Sequence, residues 1–255
     1  MINMSIIIVN HNTREILKNC LNSIISNTKD INYEIIVIDN NSQDGSPEFI
    51  KKTFSEVRLI KNKENSGFGK ANNLGASVTK GEYLFFLNSD TIIKDNSLNK
   101  LFFCAKKNKE LGMIAPELLL KNGEKQEGAY GAEPTLSTLV FGKLTNSKRI
   151  DWLSGAALLI RKSLFEKIQG FDENFFMYFE DVDLSLRVRK LGYGLAICDE
   201  AKIVHLVGRS IKISQDRKRI YYASQNYFYK KHYGFLKYLI MKIIRFPYKL
   251  TKNIK

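Results

Sequence analysis

Cysteine is scarce in this 255-residue chain: Cys20, Cys104 and Cys198 are widely spaced and odd in number. That excludes a disulfide-stapled mini-protein, forms no zinc-ligand pattern and points to reduced thiols in a cytosolic compartment. No apolar run approaches the ~18 residues needed to span a bilayer. The opening has no basic stretch, and Ile6-Ile7-Ile8-Val9 is too short for a signal peptide. Phosphate-binding glycine loops are also missing. Gly67-Phe68-Gly69 has Asn72 where a dinucleotide fingerprint needs its third glycine, and no G-x-x-x-x-G-K-[ST], H-E-x-x-H or G-x-S-x-G occurs. Acid, finally, is nearly absent from residues 202–255, where 14 Lys/Arg meet only Asp216, a balance of +13 out of the chain's +14. The body is close to neutral and the tail carries the charge.

What is present is a globular composition, 44% hydrophobic and 26% charged, which excludes disorder and collagen. The first half alternates strand and helix patterns. Strands are expected at 5–9, 34–38, 57–60 and 83–87. Between them, Asn12-Thr13-Arg14-Glu15 has a capping-box pattern, and Ile16, Leu17, Cys20, Leu21, Ile24 and Ile25 recur at helical spacing. Ser46-Pro47 reads as N-cap and first helical position, and 70–79 as a further helix. Such alternation argues for an α/β domain with a mostly parallel central sheet flanked by helices. Residues 121–150, rich in glycine, read as a long loop. Later expectations are a strand at 156–160, a helix at 182–191, short strands at 194–198 and 202–205, and two helical segments divided near Gly234.

Parallel α/β sheets bind ligands at the carboxyl ends of their strands. Three early strands here end in polar triplets: Asn10-His11-Asn12, Asp39-Asn40-Asn41 and Asn88-Ser89-Asp90. With no glycine loop, a nucleotide would be held by side chains and a hard divalent cation, which prefers carboxylate oxygen and bridges diphosphates.

Several runs carry a family resemblance. They are Ser5 to Asn12, Val37 to Ser46, Asn65 to Asn73, Leu87-Asn88-Ser89-Asp90, Ser154-Gly155-Ala156, Gly170-Phe171-Asp172-Glu173 and Phe179-Glu180-Asp181-Val182-Asp183-Leu184. In that order the chain resembles glycosyltransferase family 2 over about residues 4–206, and within it the bacterial rhamnosyltransferase-like enzymes of surface polysaccharide synthesis. The resemblance implies a GT-A fold and inverting transfer of a sugar, such as rhamnose, from a nucleotide-diphosphate sugar. The acceptor it implies is a glycan or polyprenyl-linked hydroxyl. Asp39 would bond the base, with Asn10, His11 and Asn72 lining that pocket. Asp90 matches the last acid of the family's D-x-D motif, with Asn88 at the first position beside the nucleotide sugar. His205 matches a further ligand for Mg²⁺ or Mn²⁺. Asp181 matches the catalytic base, and Glu180 shares or orients that role. Asp44 reads as a turn residue and Asp183 as a helix-start charge favoured by the macrodipole.

The tail from Phe235 shows two stripes at helical spacing. Phe235, Leu239, Ile243, Phe246 and Leu250 form the apolar one, and Lys242, Arg245, Lys249 and Lys252 the basic one, with Pro247 expected to kink or end the helix. Such a helix suits an anionic membrane surface; its rival reading is packing on the body with solvated lysines. The expected organisation is a catalytic domain at 1–234 and a basic amphipathic tail at 235–255, in a cytoplasmic protein peripheral on the inner face of the cell membrane. A nucleic-acid partner is not expected: no such motif occurs, and Asp39, Asp90 and Asp181 would repel phosphate. A metal-dependent nucleotidyltransferase would share sheet and metal but needs a glycine-rich loop near its N-terminus.

Overall fold

The computed structural model describes residues 1–141, 149–206 and 214–251, with side chains for 216–246 in the last stretch. The first half runs β1 (Met4–Asn10), α1 (Arg14–Asn27), β2 (Tyr33–Asp39), α2 (Ser46–Thr53), β3 (Val57–Lys61), α3 (Phe68–Ser77) and β4 (Tyr83–Asn88). β1, β2 and β4 are runs of Ile, Val, Leu and Phe because both sheet faces are covered. Side chains alternate between the layers. Ile6, Ile8, Val37, Phe85 and Leu87 join the core under α1. Ile7, Ile36, Ile38, Leu84 and Phe86 face the opposite core under α3.

The chain continues with β5 (Thr91–Ile93), α4 (Ser97–Lys107), β6 (Leu111–Leu119), β7 (Tyr130–Gly131), α5 (Leu136–Phe141), β8 (Trp152–Leu153), β9 (Ala157–Arg161), α6 (Lys162–Lys167), α7 (Glu180–Lys190), β10 (Gly194–His205) and α8 (Ser214–Thr251). The main sheet has eight strands in the order β3-β2-β1-β4-β9-β6-β10-β5. β1 pairs in parallel with both β2 and β4, so the strand order reverses beside it and opens a crevice at the carboxyl ends. β9 lies antiparallel between β4 and β6. Its amino end therefore shares an edge with the carboxyl ends of β4 and of β10, which is parallel to β6.

Several expectations need correction. The long loop at 121–150 contains β7, paired with β8, and the short helix α5; its residues 142–148 lie outside the described residues. The two short strands at 194–198 and 202–205 are one strand, β10, whose register shifts between Cys198 and Lys202. The capping box at α1 does not form: Thr13 Oγ1 bonds Asn10 and Ser89, while the Arg14 N–H donates to Asp44 Oδ2 at 2.8 Å. Asp44 is thus a cap supplied from the neighbouring loop as well as a turn residue. Burial works against its charge, but bonds from the Ser46 hydroxyl and the Arg14 and Ser46 N–H groups hold its carboxyl below the ordinary value. Ser46 is one residue inside its helix, Gly45 being the cap.

α8 breaks at Gly234, whose φ of 80° and ψ of 174° leave the helical region, as the sequence suggested. Beyond it the helix runs through Pro247 to Thr251, so the expected interruption at Pro247 does not occur. The second limb folds back on the first: Arg245 donates to Gln225 Oε1 at 2.8 Å and to Asn226 Oδ1 at 2.9 Å. Arg245 is therefore a buried brace and not part of a free basic stripe. Lys252 and the side chains of Lys249 and Leu250 lie outside the described residues.

The first limb is bolted to α7 through Asp183, which is fully buried. Its Oδ1 lies 2.6 Å from Lys231 Nζ and 2.7 Å from His232 Nε2, and its Oδ2 accepts from Arg187 Nε at 2.8 Å. The helix-start reading of Asp183 missed this. Burial opposes the charge, yet His232, Arg187 and Lys231 hold the carboxyl below its ordinary value. Its stabilisation is therefore present above the unfolded carboxyl value and lost as pH falls through the depressed one. Asp183→Ala removes the carboxylate shared by Arg187, His232 and Lys231, of which, among the described residues, Lys231 alone keeps another, Asp172. The expected cost is about 3–5 kcal/mol in urea unfolding at neutral pH, narrowing at acid pH; an equal urea midpoint for both chains would contradict it.

Candidate active site

At the ends of β1 and β2 the polar triplets become a braced floor. Asp39 is 1% exposed; its Oδ1 accepts from Asn10 Nδ2 at 2.8 Å and its Oδ2 from the Ser42 N–H at 2.9 Å. Asn10 is buried too, its oxygen taking the Thr13 hydroxyl at 2.6 Å and its amide also reaching Ser42 Oγ. Both side chains thus shape the crevice from beneath. His11 sits higher and half-exposed, with Nδ1 2.7 Å from the Asn40 carbonyl and Nε2 3.2 Å from Asn12 Nδ2. Thr13 Oγ1 also lies 3.1 Å from Ser89 Oγ, which joins this floor to the Asp90 loop.

Asn40 is a residue whose importance the sequence did not single out. Buried, it donates to Asn65 Oδ1 and the Gly67 carbonyl and accepts from Asn62 and Ser66, so it fastens the 62–67 loop over β2. That loop needs Gly67: at φ +81° a Cβ would stand 2.3 Å from the Phe176 carbonyl oxygen. The Phe68 N–H donates to the same oxygen at 2.8 Å, tying the loop to the segment that leads into α7. Asn72, on α3, is buried and donates to the Phe68 carbonyl at 3.0 Å, and its Oδ1 has no hydrogen-bond partner among the described residues.

At the end of β4, Asn88 is half-buried and its N–H donates to the Ala156 carbonyl at 2.9 Å. Asp90 is 1% exposed, and its Oδ1 lies 3.2 Å from His205 Nε2 without the alignment of a hydrogen bond. His205 Nδ1 lies 2.8 Å from Gln126 Oε1. With its amide oxygen so placed, Gln126 accepts a hydrogen bond from Nδ1–H, which leaves the Nε2 edge of the ring turned to the Asp90 carboxylate. A carboxylate and an oriented imidazole, completed by diphosphate oxygens, suit Mg²⁺ or Mn²⁺. No group of three or more His, Cys, Asp and Glu that could hold a metal occurs among the described residues, so substrate oxygens would have to complete the shell. Gln126 lies in the stretch read as loop, where no pattern distinguished it.

Asp181 and Glu180 open α7, after Phe179 at φ +68°. Asp181 Oδ2 accepts the Gly155 N–H at 2.9 Å and Oδ1 the Val182 N–H at 2.8 Å. Glu180 is 5% exposed, with Oε2 unpartnered among the described residues. Burial, followed by the charge of Asp181, pushes the Glu180 carboxyl well up. Burial also raises Asp181, but the Gly155 and Val182 N–H groups oppose it. A helix N-terminus adds its own preference for an anion. Of the two, Glu180 is raised the further, while the Gly155 and Val182 N–H groups restrain the rise at Asp181. The 154–156 turn joins this acid to the end of β4: Gly155 holds Asp181 and Ala156 holds Asn88, with at most roughly 7 Å of chain between the two contacts. Asp90 follows two residues after Asn88, and Thr13 links its loop, through Ser89, to Asn10 on the floor.

The family model described as glycosyl transferase family 2 matches residues 5–184. An N-acetylglucosaminyl-diphospho-decaprenol L-rhamnosyltransferase of Mycobacterium tuberculosis is 27% identical over 67% of this chain and 66% of its own length. A rhamnosyltransferase of Escherichia coli K12 is 27% identical over 78% of this chain and 82% of its own. This chain thus spans about two-thirds of the length of the first of these relatives. Among solved structures, GalNAc-T7 with UDP, GalNAc and Mn²⁺ superposes with a TM-score of 0.66 at 21% identity, covering 90% of this chain and 50% of that one. A mannosyltransferase of Pyrobaculum calidifontis with GDP-Man and Mn²⁺ gives 0.61 at 17% identity, covering 81% and 57%. These neighbours share the GT-A fold, the expected mixed α/β sheet flanked by helices. With a family match over most of its length and that fold beneath it, the chain belongs to glycosyl transferase family 2.

Proposed function

We propose that the chain is an inverting glycosyltransferase. It moves a sugar, rhamnose on the example of its relatives, from a nucleotide-diphosphate donor to a hydroxyl of a glycan or polyprenyl-linked acceptor in surface polysaccharide synthesis. The observation that carries this reading is the 154–156 turn, which links Asp181, bonded by the Gly155 and Val182 N–H groups, to Asn88, two residues before the Asp90 that faces an imidazole. Support also comes from the two rhamnosyltransferases and from the neighbours crystallised with a nucleotide and Mn²⁺.

The donor's base lies toward Asp39 and His11, over the floor made by Asn10, with Asn72 behind it. Its diphosphate reaches Asn88 and Asp90. Asp90 and His205 hold the divalent cation, with Gln126 fixing the imidazole's tautomer. When bound, the metal supplies charge neutralisation for the departing diphosphate. Asp181 takes the proton of the acceptor hydroxyl at a carboxylate oxygen, on the face of the sugar opposite the diphosphate, which inverts the anomeric carbon. Gly155 keeps that carboxylate in place. Glu180, whose carboxyl burial pushes well up, lies beside it at the start of α7.

Asp181→Asn is expected to keep donor affinity by calorimetry while transfer falls ~10²–10⁴-fold; near-normal transfer would remove Asp181 from the role of base. Because the base must be ionised and burial raises its value, kcat/KM should climb with pH through a limb above the ordinary aspartate value of ~3.9. A profile flat down to that value would contradict the burial effect.

The metal assignment has its own check. Asp90→Ala and His205→Ala should abolish high-affinity Mn²⁺ binding in the presence of nucleoside diphosphate, read by electron paramagnetic resonance. Gln126→Ala should weaken it roughly 10–100-fold. Unchanged Mn²⁺ titrations in all three chains would overturn it.

A further inference from the structure

The second limb of α8 presents an apolar face that nothing among the described residues covers. Phe235 is 66% exposed, Leu236 72%, Ile243 72% and Phe246 60%, with Leu239 and Ile240 at 38% each. At about 100° per residue these six side chains fall within an arc of about 140°. Tyr238, Met241 and Arg245 occupy the opposite side and are buried against the first limb. Lys237 and Lys242 lie at the two borders of the exposed arc, about 60° beyond one end and about 20° beyond the other. No acid follows Asp216 in the sequence. α5 packs against the same cluster through Leu136 and Leu139 and adds exposed Val140 and Phe141.

We infer that this limb lies in the headgroup region of an anionic lipid surface, its apolar arc toward the acyl chains and its bordering lysines toward lipid phosphates. Charge decides the occupant. A second copy of the chain docked on this face would bring lysines against lysines, with no carboxylate on either limb to pair them. An anionic bilayer offers hydrocarbon to the arc and phosphate to both borders, and lysine stems are long enough to reach the headgroups. No helix among the described residues is long and apolar enough to cross a membrane, so the limb lies along the surface. It is not a loose tether. Arg245 ties it to the first limb, and Lys231 and His232 tie that limb to Asp183 on α7. The helix that opens with Asp181 is thereby held at a set height and tilt above the lipid. The inference rests on this surface alone and stands whether or not the chain transfers sugar.

The test uses the full chain and sedimentation with vesicles of phosphatidylcholine, with or without phosphatidylglycerol. Binding is expected to the mixed vesicles and to fall with salt. Lys237→Gln with Lys242→Gln should lower partition roughly 10–30-fold, and Leu236→Glu with Ile243→Glu should abolish it. Both pairs are solvent-exposed, and unaltered thermal unfolding would verify that the fold is intact. Ile243→Trp offers an independent reading beside the single native tryptophan, Trp152: its emission should shift blue on mixed vesicles and be quenched by brominated lipid. Equal partition to both vesicle types would overturn the proposal. So would an Ile243→Trp emission unmoved by lipid, or a dimer dissociated by the Leu236→Glu pair without vesicle binding.

Discussion

The whole site depends on a turn of three residues. The backbone at 154–156 gives one N–H to Asp181 and one carbonyl to the N–H of Asn88, and these two bonds draw together groups almost a hundred residues apart. The turn is there because β9 runs against its neighbours. In an all-parallel sheet the approach to that strand would lie at the opposite edge, far from the carboxyl end of β4. A single reversed strand thus brings a backbone donor to the crevice where the parallel strands end. Gly155 packs closely here: a Cβ would lie 3.1 Å from Phe68 Cε1, so that ring would have to give way, and 3.6 Å, an ordinary contact, from Asp181 Cβ.

Electrostatics then separates two adjacent carboxyls. Glu180 and Asp181 share burial and a helix end, and would titrate alike if only those counted. The backbone distinguishes them. Asp181 has two N–H donors that restrain the rise burial causes, while Glu180 has an oxygen with no partner among the described residues and is pushed up further. At the end of β4, Gln126 orients the His205 ring so that its Nε2 edge lies 3.2 Å from the buried Asp90 carboxylate.

The sequence made the parallel half of the sheet legible. β1, β2 and β4 are continuous apolar runs buried on both faces, and their ends carry the polar residues that a crevice needs. It hid β6, where Gly112 and Pro116 break the apolar run. Gly112 is needed because a Cβ there would meet Val188 Cγ1 at 2.4 Å, a tertiary demand that no local pattern reveals. Gln126, Asn40 and Asp183 were hidden for a similar reason: each acts through partners distant in the chain, Asp183 through Lys231 and His232. The capping box at Asn12 failed because a better acceptor, Asp44, arrives from the next loop. Local rules gave the elements; contacts between distant segments chose which polar groups meet.

The basic tail shows why net charge is a poor guide until each charge is placed. Lys231 is spent on Asp172 and Asp183 within the fold, and Arg245 on Gln225, Asn226 and the face of Tyr222. Cations held in this way brace helix against helix through short contacts within the fold. Lys237 and Lys242, over the rings of Tyr233 and Tyr238, are exposed and border an apolar arc that no described residue covers. Gly234 makes the division possible. By leaving the helical region there, the chain turns one basic helix into two antiparallel limbs, the first packed through ion pairs and the second left with its apolar face outward. A continuous helix through that point would project the second limb away from the body. Tyr238 and Met241 would lose their cover, and the exposed face would no longer keep a defined orientation to the crevice.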